Sequence, residues 1–346
     1  MRTLFSAKPE EVAGGGHSWN LVYEDIISLE NLLEAWKEFA RGKRQRPDVQ
    51  EFERYLTTNT LALHSELVAC TYRHGGYHHF KISDPKPRDI HKASVRDRLL
   101  HHAFYRKLYP LFDRTFIADS YSCRLGKGTH EAMNRFRAFA RTVSKNNTRT
   151  CWVLKCDIRK FFASIDQTTL LSILRERIED ADILSLIENI VRSFHSTALG
   201  KGLPLGNLTS QLLVNIYMNE FDQFVKHNLK AKYYIRYADD FVLLSSDKDR
   251  LQKTLRYMIV FLRERLKLEM HPDKVFTKTL ASGVDFLGWV HFPDHRVLRT
   301  ATKKRMFRRL EKAGEKPETL ASYQGMLSHG NAQKLQKIVL AGAKIA

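Results

Sequence analysis

The chain is poor in cysteine, in long apolar runs and in negative charge, and each shortage removes a class of protein. Only four cysteines occur among 346 residues, Cys70, Cys123, Cys151 and Cys156, and none pairs with another at C-x-x-C spacing. That excludes a disulfide framework and leaves the four as reduced packing residues. Cys70, His74, His78 and His79 fall close together, but they lack the paired spacing of a structural zinc site, and Gly75-Gly76 reads as a turn. The longest uninterrupted apolar run, Tyr257 to Leu262, is far short of the roughly 18 residues that announce a membrane span. Met1 to Gly16 has neither the apolar stretch of a secretory signal nor the pattern of a transit peptide, so the expected compartment is cytoplasmic. Acidic residues number 38 against 57 Lys and Arg, a net charge of +19. Such a surface attracts polyanions, with nucleic acid ahead of anionic membrane.

What is present is a folded protein. Hydrophobic residues make up 43% and charged residues 27%, enough apolar surface for a core and too ordinary a charge for disorder. The length predicts one elaborate catalytic unit or two to three associated subdomains. Gly14-Gly15-Gly16 marks a flexible leader over 1–18. Val22, Ile26, Leu29, Leu33, Trp36 and Ala40 then repeat at helical spacing. Further helices are expected over Val49 to Ala69, Ser94 to Leu111, Thr168 to Arg192, Lys248 to Leu266 and Thr302 to Ala313, the last strongly basic. Cys151 to Ile158 reads as a buried strand, residues 232–244 as a hairpin with a polar centre, and Val284 to Val290 as a short strand pair.

Those elements put Asp157 at the end of a buried strand and Asp239-Asp240 at a hairpin tip. Carboxylates gathered from distant sequence suit Mg²⁺, which takes one or two protein carboxylates and keeps water and substrate phosphate for the rest of its octahedron. A pair of such ions activates a 3′-hydroxyl and stabilises a leaving pyrophosphate, the arrangement of nucleotidyl transfer.

Tyr237-Ala238-Asp239-Asp240 resembles the YxDD motif of reverse transcriptases, and Asp157 followed by Phe161-Phe162 resembles their first catalytic motif. The likeness is ordered. Lys86-Pro87-Arg88 with Arg96-Asp97-Arg98, Ser120 to Arg124, Asp157, Gly202 to Gln211, Tyr237 to Asp240, Leu266 to Lys274 and Phe286-Leu287-Gly288-Trp289 follow one another as that family's fingers-and-palm series does. Within the family, Gly202-Leu203-Pro204-Leu205-Gly206-Asn207-Leu208-Thr209-Ser210-Gln211 is similar to the enzymes of diversity-generating retroelements, as are Leu32 to Lys43, Ser322 to Gly325 and His329 to Asn331.

The resemblance implies an α+β right-hand polymerase with α-rich fingers, an antiparallel-sheet palm and a short helical thumb. Its parts would be 19–150 for N-terminal helices and fingers, 151–296 for the palm and 297–346 for the thumb. It implies RNA-directed DNA synthesis with two Mg²⁺ ions, for which Mn²⁺ can substitute, held by Asp157, Asp239, Asp240 and the carbonyl of Ile158. Lys86, Arg88, Ile158, Phe161, Phe162, Leu205, Gly206 and Lys274 would surround the deoxynucleoside triphosphate, with Phe162 as the ring that excludes a ribose 2′-hydroxyl. Arg305, Arg308 and Arg309 would follow a template–primer duplex. Partners would be template RNA, its cDNA or primer and a small basic accessory protein oligomer, with errors concentrated at adenines. A retron, group II intron-like or antiphage-defence reverse transcriptase is the alternative setting, and a catalytically silent RNA-binding scaffold the non-enzymatic one.

Overall fold

The structure is a computed structural model that describes residues 21–83, 87–313 and 316–340; the leader expected over 1–18 and Lys86 lie outside them. The helices are α1 (Tyr23–Ile27), α2 (Leu29–Ala40), α3 (Pro47–Arg54), α4 (Leu56–Val68), α5 (Val95–Asp113), α6 (Thr129–Val143), α7 (Phe161–Ser164), α8 (Gln167–Arg175), α9 (Ala181–Arg192), α10 (Leu208–Gln223), α11 (Lys248–Leu266), α12 (Thr300–Ala313), α13 (Pro317–Leu327) and α14 (Gln333–Leu340). The strands are β1 (Tyr77–Ile82), β2 (Arg88–Ala93), β3 (Trp152–Asp157), β4 (Tyr234–Tyr237), β5 (Asp240–Ser245), β6 (Phe276–Thr279), β7 (Val284–Phe286), β8 (Trp289–His291) and β9 (Arg296–Leu298). They form sheets of two, four and three strands, ordered β1-β2, β4-β5-β3-β6 and β7-β8-β9. The α+β class with antiparallel sheets is therefore the observed one. Among the described residues no helix is long and apolar enough to cross a membrane.

The chain divides into two compact units. The first takes the chain through Gly76, Ala93–Leu111 and Gln167–Phe194 and is helical. Three long helices expected from periodicity are broken in it, two of them at a residue whose side chain offers the backbone another partner. Ser28, at ψ 141°, ends α1 and accepts from the Asn31 N–H at the start of α2. Tyr55 separates α3 from α4. The Thr168 to Arg192 helix is in fact α8 and α9: one carboxylate oxygen of Asp180 accepts from the Asp182 and Ile183 N–H groups, both at 2.9 Å, and the other from Tyr23 N–H. A side chain that caps so well restarts a helix instead of continuing one.

The second unit comprises Tyr77–Lys92, Phe112–Asp166 and His195–Ala346, and the four-stranded sheet is its centre. Alternation sends Val153, Lys155 and Asp157 of β3 to one face. Opposite them on β5 stand Leu244, Val242 and Asp240, and Ile235 and Tyr237 of β4 stand opposite Val242 and Asp240. The apolar members of this face close a core with Phe136, Phe139, Ala140 and Val143 of α6. The same face continues toward the β4–β5 turn as Lys155, Asp157 and Asp240. On the other face lie Leu154, Cys156, Tyr234, Arg236, Phe241 and Leu243, all buried. There Phe221 of α10 meets the rings of Phe241 and Tyr234 at 5.2 and 6.3 Å. Most of α10 is buried, polar side chains included, as befits a helix inside a core. The strand pair expected near Val284 gains a third member, β9, and α12 to α14 pack Met306, Leu327 and Val339 against Trp289, Leu298 and Met133 of α6.

Candidate active site

Asp157 ends β3 and pairs in register with Asp240, the first residue of β5. Its backbone is held on both sides: the His271 N–H donates to its carbonyl at 2.7 Å, and the next residue, Ile158, donates to the Asp239 carbonyl at 3.2 Å. Asp239 and Ala238 form the two-residue connection between Tyr237 and Asp240. Ala238 has φ of 55°, a left-handed conformation that costs a residue with a β-carbon about 1 kcal/mol or more. The sequence thus accepts local strain to place Asp239 at the tip beside the end of β3.

Each carboxylate is met by cationic groups. The Lys274 ammonium donates to Asp157 Oδ1 at 2.9 Å, and that of Lys155 stands 3.3 Å from Asp240 Oδ2. Asp240 Oδ1 is buried without a hydrogen-bond partner. Burial raises the Asp240 carboxyl to about 7 against the opposing pull of Lys155, with the charges of Asp239 and Asp157 adding to the rise. Burial and the Asp157 charge raise that of Asp239 as well, with Lys274 and Arg88 opposing. Negative charge is therefore crowded here beyond what the lysines neutralise. Among the described residues no three His, Cys, Asp or Glu side chains already form a closed ligand set; Asp157 and Asp240 are engaged by ammonium groups instead. The donor chemistry nonetheless fits a hard divalent cation, since these are oxygen ligands with one orphaned oxygen and a raised affinity for positive charge.

Backbone bonds tie the other expected residues into the same unit. Leu203 N–H donates to the Phe162 carbonyl at 2.9 Å, and His91 N–H, on β2, donates to the Leu205 carbonyl at 3.0 Å. Asn207 returns the tie through Nδ2 to the His91 carbonyl at 2.8 Å. Gly206, at φ 106°, has Ile90 Cγ2 within 2.9 Å of where a β-carbon would stand, so the close approach of this loop to β2 requires glycine. Phe161 is buried at 3% exposure, while Phe162, half-buried, meets it edge-on at 5.6 Å between centroids. One ring belongs to the core and the other faces outward. Arg88 is exposed on β2 and close enough to act on the Asp239 charge. Arg305, Arg308 and Arg309 are placed on α12, with Arg308 and Arg309 exposed and Arg305 half-buried.

Two supporting features escaped the sequence reading. Lys155 lies two residues before Asp157, hence on the same strand face, which alternation alone could have revealed. Arg236 sits in an apolar strand and is wholly buried. It is paired with Asp222 of α10 through Nε and Nη2, at 2.8 and 2.7 Å, and also donates to Ser120 Oγ and the Ala238 carbonyl. A lone arginine in a buried strand demands such a partner. Here it anchors the residue that precedes Asp239.

Sequence comparison agrees with this geometry. Residues 81–291 match the family described as reverse transcriptase (RNA-dependent DNA polymerase), and the chain belongs to that family. It is 26% identical over 258 residues to Protein YkfC of Escherichia coli K12, covering 64% of this chain and 66% of that protein. It is 24% identical over 294 residues to the group II intron-encoded protein LtrA of Lactococcus lactis, covering 65% and 47%. The matched stretch thus spans less than two thirds of either relative. A telomerase structure from Candida albicans aligns with a TM-score of 0.49 at 13% identity, over 64% of this chain and 45% of that one.

Proposed function

We propose that the chain is an RNA-directed DNA polymerase whose reaction centre is Asp157, Asp239 and Asp240. The observation that carries the reading is the register that sets Asp157 opposite Asp240, with Asp239 at the adjoining turn. Two Mg²⁺ ions, or Mn²⁺ in their place, held by these carboxylates and the Ile158 carbonyl, would supply charge neutralisation at the attacking 3′-oxygen and the leaving pyrophosphate. The chain's own groups do the rest. Lys274 and Lys155 hold the carboxylates in place until the substrate complex forms. Arg88, with Lys86 beside it in sequence, meets the triphosphate, for which a guanidinium offers paired donors. Phe162 stands where a ribose 2′-hydroxyl would project, and Leu205 and Gly206 flank the nascent pair. In the reaction the primer 3′-oxygen bonds to the α-phosphorus as the bond to pyrophosphate breaks. Asp239→Asn is expected to lower Mg²⁺-dependent primer extension on RNA by at least a thousandfold with the thermal unfolding midpoint nearly unchanged; extension at the parental rate would refute the assignment.

The setting proposed is a diversity-generating retroelement, with template RNA and a small basic accessory protein oligomer as partners. Leu205 supports it: a leucine offers no donor or acceptor where most of the family has glutamine, so a mispair is penalised less by about 1–2 kcal/mol, roughly tenfold. That adenine suffers most comes from the family resemblance. Relatedness to the intron protein LtrA supports a group II intron-like setting instead. Complementary DNA made by the parent and by Leu205→Gln on one RNA distinguishes them: several-fold fewer errors opposite adenine are expected in the variant, and equal error rates remove Leu205 from the account.

A further inference from the structure

Away from the carboxylates, the second unit holds a cavity of about 290 Å³ between α6, the β8–β9 loop and the α13–α14 turn. That is the small end of ligand-sized pockets, which run from about 300 Å³ upward. Its walls include Phe136, Arg137, Phe292, His295, Arg296 and His329, and no carboxylate. Arg296 donates through Nε to the His329 carbonyl and through Nη2 to Asn134 Oδ1 at 3.3 Å, while its Nη1 is buried with no partner. Burial and the neighbouring charge of Arg137 both lower the Arg296 guanidinium, so two like charges face one space without a counter-ion. Asp294, between the lining residues Pro293 and His295, is outside the lining and accepts from Asn147 Nδ2 at 2.8 Å, and Glu131 acts on His130, also outside the lining.

Several contacts hold the frame around these charges. A β-carbon on Gly330 would collide with the Trp289 ring, so the α13–α14 turn packs directly against that indole. The Asn331 N–H is bonded to the Arg296 carbonyl at 2.9 Å, and His329 stacks on His130 with centroids 3.4 Å apart. At the mouth, Phe292 and His295 stack at 4.8 Å, 13° from parallel, and His295 is exposed.

We propose that this cavity binds single-stranded nucleic acid, taking one phosphodiester on Arg137 and Arg296 and one base against the His295–Phe292 stack. An orphaned guanidinium donor wants an anionic oxygen, and flat rings beside a cationic groove are how unpaired strands are held without regard to sequence. An acidic peptide would satisfy the arginines and leave the rings unused. The site is separate from the reaction centre: none of its lining residues is among those assigned to catalysis, and it requires no metal.

The test uses the whole chain without divalent cation, titrated with labelled RNA and DNA single strands of about ten nucleotides, and separately with adenosine monophosphate and inorganic phosphate. Arg137→Gln and His295→Ala are expected to weaken strand binding three- to tenfold each, Arg137→Gln also lowering the salt slope by about one, with Arg137→Lys recovering most of the affinity. Arg141→Gln, a loss of the same charge on α6 outside the lining, controls for net charge. Equal weakening by Arg141→Gln, or no weakening by Arg137→Gln, would overturn the site. Arg137-dependent binding of phosphate or the mononucleotide with no effect on strands would overturn its assignment to a strand. Failure on any of these counts leaves the polymerase reading intact, because that is decided by Asp239→Asn.

Discussion

Phe161 and Phe162 are adjacent, chemically identical and unlike in use. The first is in the core and the second is half-buried beside the carbonyl that Leu203 N–H engages. A ring fixed at one edge by core packing can oppose a hydroxyl without moving, which is what a steric gate requires. Phe162→Val removes the ring and keeps an apolar side chain, so ribonucleotide incorporation should rise at least tenfold relative to deoxynucleotide, read by primer extension with matched triphosphates. Unchanged discrimination would place the gate at another residue. The pair also marks what was legible at this scale. The placement of Asp157 at a strand end and of Asp239-Asp240 at a hairpin turn could be read from the chain because each belongs to a motif with local spacing. Lys155 and Asp222 could not be matched to their partners, because Lys155–Asp240 and Asp222–Arg236 form only once strands and α10 are registered in three dimensions.

Elements were legible where one periodicity ran uninterrupted. The α11 helix was expected over Lys248 to Leu266 and is found there, because its Asp247 cap and its amphipathic face agree. Helices broken at Ser28, Tyr55 and Asp180 were read as continuous, since apolar spacing survives a short interruption, which at Ser28 and Asp180 a capping side chain imposes. Strand β9, as short as the β7 and β8 that were read, was not read from the sequence. The same small sheet carries a titratable strain. His291 on β8 is 3% exposed, and burial lowers its imidazole to about 4 although it faces the Phe286 carbonyl at 3.2 Å. The unfolded chain takes a proton on this ring near pH 6.5 and the folded chain resists it until about 4. Its contribution is therefore complete above pH 6.5 and is lost progressively as pH falls toward 4, by up to about 3 kcal/mol. Thermal midpoints measured from pH 7 to 4 should fall less steeply for His291→Gln than for the parent. Parallel curves would assign the acid sensitivity elsewhere, to His101, which burial lowers well below its ordinary value, or to His102, which burial and the charge of Lys43 hold near 4.

For the whole molecule, the governing quantity is the +19 charge, too large to be accounted for by the few cations beside the carboxylates. On the proposed function, an enzyme that moves along its substrate benefits from contacts to phosphate, which is uniform, over contacts to bases, which are not. Helix α12 offers a row of such contacts: Lys303, Lys304, Arg308 and Arg309 are exposed, while Met306 is buried against Trp289 and Leu298. Packing thus fixes one side of the helix and turns the charges outward. Binding of an RNA–DNA duplex should fall steeply with salt and little with sequence. Replacing Arg305, Arg308 and Arg309 together by glutamine should flatten the dependence of log K on log salt by about two, each lost phosphate contact contributing somewhat under one. The measurement is made without any accessory protein, because a second basic or acidic chain would change the slope by itself. A triple variant with the parental slope would take the duplex off α12. A single-stranded probe run beside the duplex then separates the two surfaces: loss on the duplex alone belongs to α12, whereas the cavity beside Arg137 should still answer to the strand.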